Sequence, residues 1–332
     1  MTRRWAVEDA ALRPRVVSRR PLLFGDGGDV QLDRTPHVRA ASGLAWLSIS
    51  GAPRLVVAQD DTSHLAVIDP SVDPPAVTAI TLEHVIDGRR VFESRLDNKQ
   101  HKLDLEACTT VRLEGVEHLL VVGSGSLPAR ERFVLVSPGG SARVHAAPGV
   151  YAALRDVTAF SGSELNLEGV VALGGELLLF QRGNGAPRGA IGAVDATCAL
   201  SLEALVRHLR DGGPAPQPSR VTEHILGEID GVRLTFTDAT RVGDRIAFLL
   251  GAEASPNAID DGLVVGVALG TMEIDGSGAR WGRVLEPTGA VFTGKAEGLA
   301  PRTPGVDDGR FWAVVDRDDP DLAAELLEIT LM

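Results

Sequence analysis

Short apolar runs, each bounded by glycine, aspartate or serine, recur along most of the chain. The clearest example has apolar runs at 168–173 and 176–181 around the pair Gly174-Gly175, followed by another run at 189–195. A Gly-Gly pair between two such runs is typical of a hairpin turn. A continuous apolar run is typical of a strand that is covered on both faces. This pattern predicts three successive antiparallel β-strands.

Five copies of a short phrase organise these strands. In each copy, a small or acidic residue precedes glycine or alanine, and a strand-like run follows. The copies begin 59 to 70 residues apart, at Ser42, Glu106, Glu168, Asp238 and Glu297. Self-similarity at a nearly constant period indicates a repeat architecture.

Each copy opens a unit of several strands joined by polar loops, of which the longest runs through Glu253 and Asp260 in the fourth unit. A more variable fourth run precedes the next copy, at 77–82 or 91–96, 142–147, 221–225 and 279–285. Four-stranded units that repeat radially form a β-propeller, whereas the repeats of a stacked solenoid are usually shorter. We therefore predict an all-β, five-bladed β-propeller with four-stranded blades, as a single domain over residues 1–332.

The fifth unit lacks a fourth strand, because the sequence given ends at Met332. The N-terminal run 15–24 has strand character and no unit of its own. We predict that it completes the last blade and closes the ring, which removes exposed sheet edges. One helix is predicted at 201–210, where Ser201 is a suitable N-cap and Gly212 follows the end.

Composition narrows the possible partners. The net charge is −12, which disfavours nucleic acid and anionic membranes as partners. The chain has only two cysteines, and no apolar run reaches the ~18 residues of a membrane span. The N-terminal segment has no apolar core typical of a secretory signal. We expect a cytoplasmic protein with a small-molecule ligand at the channel mouth; the sequence does not determine the oligomeric state.

In a propeller, the first strand of each blade lines the central channel, so the five repeated residues are expected to converge there. Carboxylates that converge repel one another unless a cation compensates them. The predicted metal ligands are Ser42, Glu106, Glu168, Asp238 and Glu297. Oxygen ligands favour Ca²⁺, with Mg²⁺ and Mn²⁺ as alternatives, and no His or Cys pair has zinc-ligand spacing. Without a metal, the acids would accept backbone hydrogen bonds around a water-filled channel, and Lys102 and Lys295 would neutralise part of their charge.

The loops after the second strands are expected to surround this channel on the same face. Asp60 and Asp316 are the candidate general bases, and Arg182 is the candidate group that stabilises negative charge in the transition state. The predicted substrate-binding residues are Asp61, Ser124, Ser126, Asn184, Glu253 and Arg317.

These motifs also carry resemblances to known families. The repeated Ser, Glu and Asp positions and the loop Asp60-Asp61-Thr62 resemble the calcium-activated apyrases, five-bladed nucleotidases with a central calcium. The Glu-Gly openings at Glu168 and Glu297 resemble phytase-like or esterase-like propellers. The segments 104–108, 166–169, 181–185 and 236–239 look like a bacterial propeller family with no assigned function. The apyrase resemblance implies a calcium-dependent hydrolase, although blade four offers Asp238 or Thr237 where the apyrase pattern has a hydroxyl.

Two functions follow from the sequence. The first is a metal-dependent hydrolase of a phosphate or carboxylic ester. The second is a non-catalytic propeller that binds a ligand or a protein and contains a structural ion or a water-filled channel. A sugar-binding propeller is less favoured, because only 4% of the residues are aromatic and sugars usually stack on rings.

Overall fold

Five separate β-sheets around a common axis account for the strand pattern. The structure is a computed structural model that describes residues 2–255, 257 and 262–331; Asp260 of the fourth-unit loop lies outside these residues. Within each sheet, consecutive strands of the blade are antiparallel neighbours. The inner strands contact one another in blade order, and the inner strand of the fifth blade contacts that of the first. The predicted five-bladed β-propeller is confirmed.

The strands in chain order begin with β1 (Thr2–Trp5), β2 (Val7–Glu8) and β3 (Pro14–Pro21). Blade 1 contains β4 (Ala41–Ile49), β5 (Ala52–Gln59), β6 (His64–Asp69) and β7 (Ala76–Thr81). Blade 2 contains β8 (Leu105–Leu113), β9 (Val116–Gly123), β10 (Arg132–Val136) and β11 (Ala142–Ala146). Blade 3 contains β12 (Leu167–Leu173), β13 (Glu176–Gln181), β14 (Ala196–Ser201) and β15 (Ser219–Ile225).

Blade 4 contains the short β16 (Glu228–Ile229), β17 (Val232–Val242), β18 (Arg245–Glu253), β19 (Val264–Glu273) and β20 (Arg280–Arg283). Blade 5 contains β21 (Lys295–Pro301), β22 (Arg310–Asp316) and β23 (Glu325–Leu331). The helices are α1 (Pro148–Asp156), α2 (Thr158–Ser161) and α3 (Leu202–Asp211), with short 3₁₀ turns at Ser94–Leu96, Lys99–His101 and Pro128–Arg130. Among the helices of the described residues, none is long and apolar enough to cross a membrane.

The N-terminal strand β3 closes the ring. It pairs antiparallel with β23, so that Val16 lies opposite Ile329 in the fifth blade. Both side chains are buried in one core with Phe292 and Phe311. The predicted closure by the N-terminal strand is therefore confirmed. The preceding strands β1 and β2, which the pattern does not predict, add in parallel to the outer edges of blades 3 and 4.

The predicted third strand of blade 3 is wrong. Residues 189–195 form a connection, and the strand is β14, immediately after them. Gly189 has a φ of 62°, which interrupts an extended run, and Asp195 accepts hydrogen bonds from the backbone N–H groups of Gly183 and Phe236. The predicted helix is confirmed as α3, with the Ser201 hydroxyl accepting a bond from Ala204 N at 3.2 Å. Helices α1 and α2 are not predicted by the pattern.

Each inner strand has a β-bulge at the repeated phrase. The pairing with the second strand skips Ser42 and Gly43 in β4, Glu106 in β8, Glu168 in β12, Thr237 in β17 and Glu297 in β21. A bulge adds one unpaired residue and changes the direction of its side chain. The same irregularity therefore recurs at the same step of all five inner strands.

Candidate functional site

A polar cavity of about 300 Å³ opens at the axis of the ring, where the inner strands begin. Nine of the predicted site residues line it: Asp60, Asp61, Glu106, Glu168, Arg182, Asn184, Glu253, Glu297 and Asp316. The starts of the inner strands and the loops after the second strands therefore meet on one face, because these strands run antiparallel.

Charge dominates the lining of this cavity. Eleven acidic and seven basic side chains line it, a formal excess of four negative charges. Phe92 is the single aromatic ring in the lining that the described residues provide. Charges removed from water need compensation by opposite charges, protons or a ligand. The protein provides three basic centres for this purpose: Lys102, Arg182 and Lys295.

The first centre is Lys102, which is buried between two carboxylates. Its Nζ atom lies 2.5 Å from Asp60 Oδ2 and 2.5 Å from Asp104 Oδ1. Arg130 contacts the other oxygen of Asp104 at 3.0 Å, and the Ser124 hydroxyl donates to the same oxygen. Burial would raise the pKa of Asp104, but Lys102 and Arg130 lower it to about 2. Asp104 is therefore held as a carboxylate.

Glu106 lies beside Asp60 and Asp104 but, unlike them, does not pair with Lys102. Within the described residues it has no hydrogen-bond or ion-pair partner, although it is only 8% exposed. Its carboxylate oxygen lies within 4.8 Å of those of Asp60 and Asp104. Burial raises the pKa of Glu106 well above its usual range, and Asp104 and Glu168 raise it further. Two neighbouring carboxyl groups therefore have pKa values moved in opposite directions.

The second centre, Arg182, lies among three acids of three blades. Its guanidinium contacts Glu168 at 3.4 Å, Glu297 at 3.8 Å and Glu253 at short range. Its Nε donates to Thr235 Oγ1 at 3.3 Å, so all three nitrogens have protein partners. Burial nevertheless raises the pKa of Glu168 to about 7, against the effect of Arg182 and Lys295. In this arrangement Arg182 neutralises the ring acids, and its catalytic role stays a prediction.

The third centre is Lys295, on the inner strand of blade 5. Its Nζ atom lies 2.9 Å from Asp318, 3.6 Å from Glu297 and 3.9 Å from Asp316. Burial raises the pKa of Asp316 to about 7, although Lys295 opposes this shift. Burial also raises the pKa of Glu297 well above its usual range.

Arg39 fixes the rim of the cavity on blade 1. It contacts Asp61 and Glu93, each at 2.6 Å. Burial raises the pKa of Asp61 to about 6, although Arg39 opposes the shift. Asp61 Oδ1 is buried and has no hydrogen-bond partner within the described part of the chain. This oxygen is therefore an unsatisfied acceptor next to the rim.

The structure corrects the blade-4 position of the ring. The unpaired bulge residue is Thr237, and Asp238 aligns with the Gly or Ala that follows the acid in other blades. Asp238 is fully buried, accepts a hydrogen bond from Leu299 N at 2.7 Å and does not line the cavity. Burial raises its pKa well above the usual range. A carboxyl group in this position connects inner strands instead of facing the cavity.

Four other predicted residues have different surroundings from those expected. Ser42 is buried at its bulge and does not line the cavity. Ser124 and Ser126 lie behind the lining, where both hydroxyls bind Asp104. Arg317 does not line the cavity, is exposed and pairs with Glu325 at 3.1 Å. Ser42, Ser124, Ser126 and Arg317 therefore do not reach a ligand in the cavity directly.

The sequence patterns do not single out Asp104, Arg130, Asn166 and Arg39, which the structure brings to the site. One signal would have found two of them. Asp104 lies two positions before Glu106, and Asn166 two positions before Glu168, whose carboxylate it contacts at 2.8 Å. Alternate residues of an extended chain lie on the same side. Lys295 has the same relation to Glu297.

Together, these features define a five-bladed propeller with a charged axial cavity that is lined by side chains from all five blades. Residues 37–331 match a family described as a family of unknown function (DUF6929), and the chain belongs to this family. This agrees with the predicted resemblance to a propeller family with no assigned function. No protein with a curated description matches the sequence.

Solved structures with a similar chain path include enzymes that act on sugars. An α-L-arabinofuranosidase from Podospora anserina has 13% identity and a TM-score of 0.49, with 97% of each chain covered. The PQQ-bound aldose sugar dehydrogenase from Streptomyces coelicolor has 12% identity and a TM-score of 0.43, with 98% of this chain and 100% of that chain covered. Similarity at this level does not assign an activity.

Proposed function

We propose that the axial cavity is the active site of a hydrolase that cleaves a small, uncharged carboxylic ester with its own carboxyl groups. The observation that supports this is the cluster of Asp60, Asp104 and Glu106. Their oxygens lie within 4.8 Å of one another in an open cavity. The pKa values of Glu106 and Asp104 move apart, as is typical of neighbouring acids in general acid–base catalysis. Asp60 is the most exposed carboxylate of the three.

In the proposed reaction, Asp60 and Glu106 have different roles. Asp60 takes a proton from a water molecule as the water oxygen forms a bond to the ester carbonyl carbon. Glu106 gives its proton to the alcohol oxygen as the bond between that oxygen and the carbon breaks. Asp104 does not touch the substrate; it keeps Lys102 beside Asp60. Asp316 is the second candidate base, since its pKa of about 7 suits proton transfer at neutral pH.

The substrate class follows from charge and volume. A formal excess of four negative charges disfavours a phosphate ester, because both partners would be anionic. A cavity of about 300 Å³ suits a small molecule. An uncharged ester therefore fits better than the phosphate ester that the sequence left open.

The variant Glu106→Gln tests the proposal. Glutamine has nearly the same shape but cannot transfer a proton, so kcat on short-chain p-nitrophenyl esters should fall by about 10²- to 10⁴-fold. Asp319→Asn is the control, since Asp319 lines the same cavity but is exposed at its rim. The proposal is wrong if folded Glu106→Gln hydrolyses these esters as fast as the unmodified protein, or if the unmodified protein hydrolyses none of a broad ester panel.

A second candidate is a non-catalytic propeller that binds a cation, with Ca²⁺ held by Glu106, Glu168 and Glu297. The negative excess and the unpartnered Glu106 favour it, and carboxylate oxygens suit Ca²⁺. Arg182 and Lys295 already contact Glu297, which reduces the negative charge available to an ion. The effect of Ca²⁺ separates the two candidate functions. If the protein is a non-catalytic propeller with a structural ion, Ca²⁺ should raise its melting temperature and no ester should be hydrolysed.

A further inference from the structure

We infer that the ammonium group of Lys102 occupies the position of a divalent cation among Asp60, Asp104 and Glu106, and that removing it opens a Ca²⁺ site. This inference does not depend on the proposed hydrolysis, because it concerns the binding of an ion. It predicts that the unmodified protein keeps this cluster free of metal.

The distances around Lys102 match those around a metal ion. Its Nζ atom lies 2.5 Å from one oxygen of Asp60 and 2.5 Å from one oxygen of Asp104. Ca²⁺ binds carboxylate oxygens at about 2.3–2.6 Å. Two oxygens on opposite sides of one such ion are at most about 5 Å apart. The three carboxylates satisfy this limit, with oxygens within 4.8 Å of one another.

Glu106 provides an independent indication that a ligand position is open. It is buried, it lines the cavity with the other two acids, and none of the described residues binds its carboxylate. The single ammonium charge forms ion pairs with Asp60 and Asp104, whereas Glu106 has no ion pair within the described residues. A doubly charged ion with six to eight ligands would engage all three acids.

The cluster is rigid before any ion binds. Asp104 has a φ of 54°, and its backbone N–H donates to Asp60 O at 3.2 Å, which fixes the two acids relative to each other. Arg130 and Ser124 hold Asp104 Oδ2, whereas Lys102 contacts Oδ1. Replacing Lys102 therefore frees oxygens of Asp60 and Asp104 without releasing the carboxylate of Asp104.

The test compares the full-length protein with two variants after treatment with chelator. Lys102→Met removes the ammonium and keeps all but the last atom of the side-chain length. Lys99→Met is the matched control, since Lys99 lines the same cavity and has no ion pair within the described residues. Melting temperature and isothermal titration calorimetry are measured with CaCl₂, and with MgCl₂ for comparison.

With Ca²⁺ at about 100 times its Kd, Lys102→Met should melt about 5 °C higher, while the unmodified protein and Lys99→Met should not shift. A folded Lys102→Met that shows neither heat of binding nor a shift would overturn the inference. So would a Ca²⁺ shift of the unmodified protein that Glu106→Gln abolishes, because the ion would then bind beside Lys102.

A second variant covers the case in which Lys102→Met does not fold without Ca²⁺. Lys102→Met/Asp60→Asn removes the ammonium together with one of the carboxylates that it pairs with, so it should fold without ions and should not bind Ca²⁺. If the double variant also fails to fold, Lys102 is needed for a reason other than charge, and the inference is wrong. Ester hydrolysis by the unmodified protein in chelator is measured separately, so failure of one proposal does not imply failure of the other.

Discussion

Burial changes the proton affinity of individual acidic residues around the axis. Asp316 shows it clearly, since burial raises its pKa to about 7 from the usual value near 4. Between pH 4 and pH 7, the folded protein therefore keeps a proton on Asp316 that the unfolded chain has already released. The stabilising contribution of this proton is present below pH 4 and is lost as the pH rises through 7.

Asp316→Asn should therefore gain stability relative to the unmodified protein as the pH rises from 5 to 7.5. We expect a change on the order of 1 kcal/mol in the difference between their free energies of unfolding, measured with urea. Asparagine can still accept the hydrogen bond from Asp318 N at 3.1 Å. Asp319→Asn is the control and should follow the unmodified protein. All three proteins contain the same histidines, so histidine titration does not affect the comparison. If the free energies of unfolding of Asp316→Asn and of the unmodified protein change in parallel with pH, the raised pKa of Asp316 is contradicted.

Individual residues also show where sequence reasoning reaches its limit. The acids Glu106, Glu168 and Glu297 are recognisable because each opens a repeated unit. Thr237 and Asp238 are adjacent, and the sequence does not tell which of them is the bulge residue. The choice depends on the register between β17 and β18, which shifts between Phe236 and Asp238.

At the level of strands, the repeated Gly or Ala after the ring residue has a packing reason. A Cβ atom on Gly298 would lie 2.2 Å from Ser42 O and 2.6 Å from Val314 Cγ2. A Cβ atom on Gly43 would lie 2.7 Å from Cys108 N. At Gly43 and Gly298, neighbouring inner strands therefore approach so closely that a side chain would force them apart.

Gly298→Ala should consequently lower the free energy of unfolding by about 1–3 kcal/mol, as overpacking of a core does. Gly175→Ala in the hairpin between β12 and β13 is the control, since no atom lies within 4 Å of the added Cβ and no positive φ is involved. Urea unfolding of both variants is the measurement. Equal stability of the two variants would show that the inner strands can separate without cost.

The whole ring depends on a pairing between the two ends of the described chain. The strand β3 covers β23, and Val16 is buried with Leu327 and Ile329 in the core of blade 5. Without β3, the fifth blade would present an open edge that pairs readily with other chains. The strands β1 and β2 lie only at outer edges of blades 3 and 4.

Deletion of residues 2–21 should therefore lower the melting temperature by several degrees and produce dimers or aggregates in size-exclusion chromatography. Deletion of residues 2–8 is the control; it removes β1 and β2, keeps β3 and should leave a soluble propeller. If both deletions behave alike, closure of the ring by β3 does not stabilise the fold.

The sequence by itself determined the five blades, the closing N-terminal strand and the acids at the start of most units. It could do so because apolar runs, turns and a repeated phrase are local patterns that each unit contains. Lys102 and Lys295 were recognisable in the sequence as partial compensation for those acids. Only the tertiary structure decided which carboxylates each lysine contacts, and that Arg182 joins them. Lys102 and Asp60 are far apart in sequence, and Arg182 reaches acids of three blades. Charge compensation and pKa depend on distance and burial, which exist only after the blades have closed into a ring.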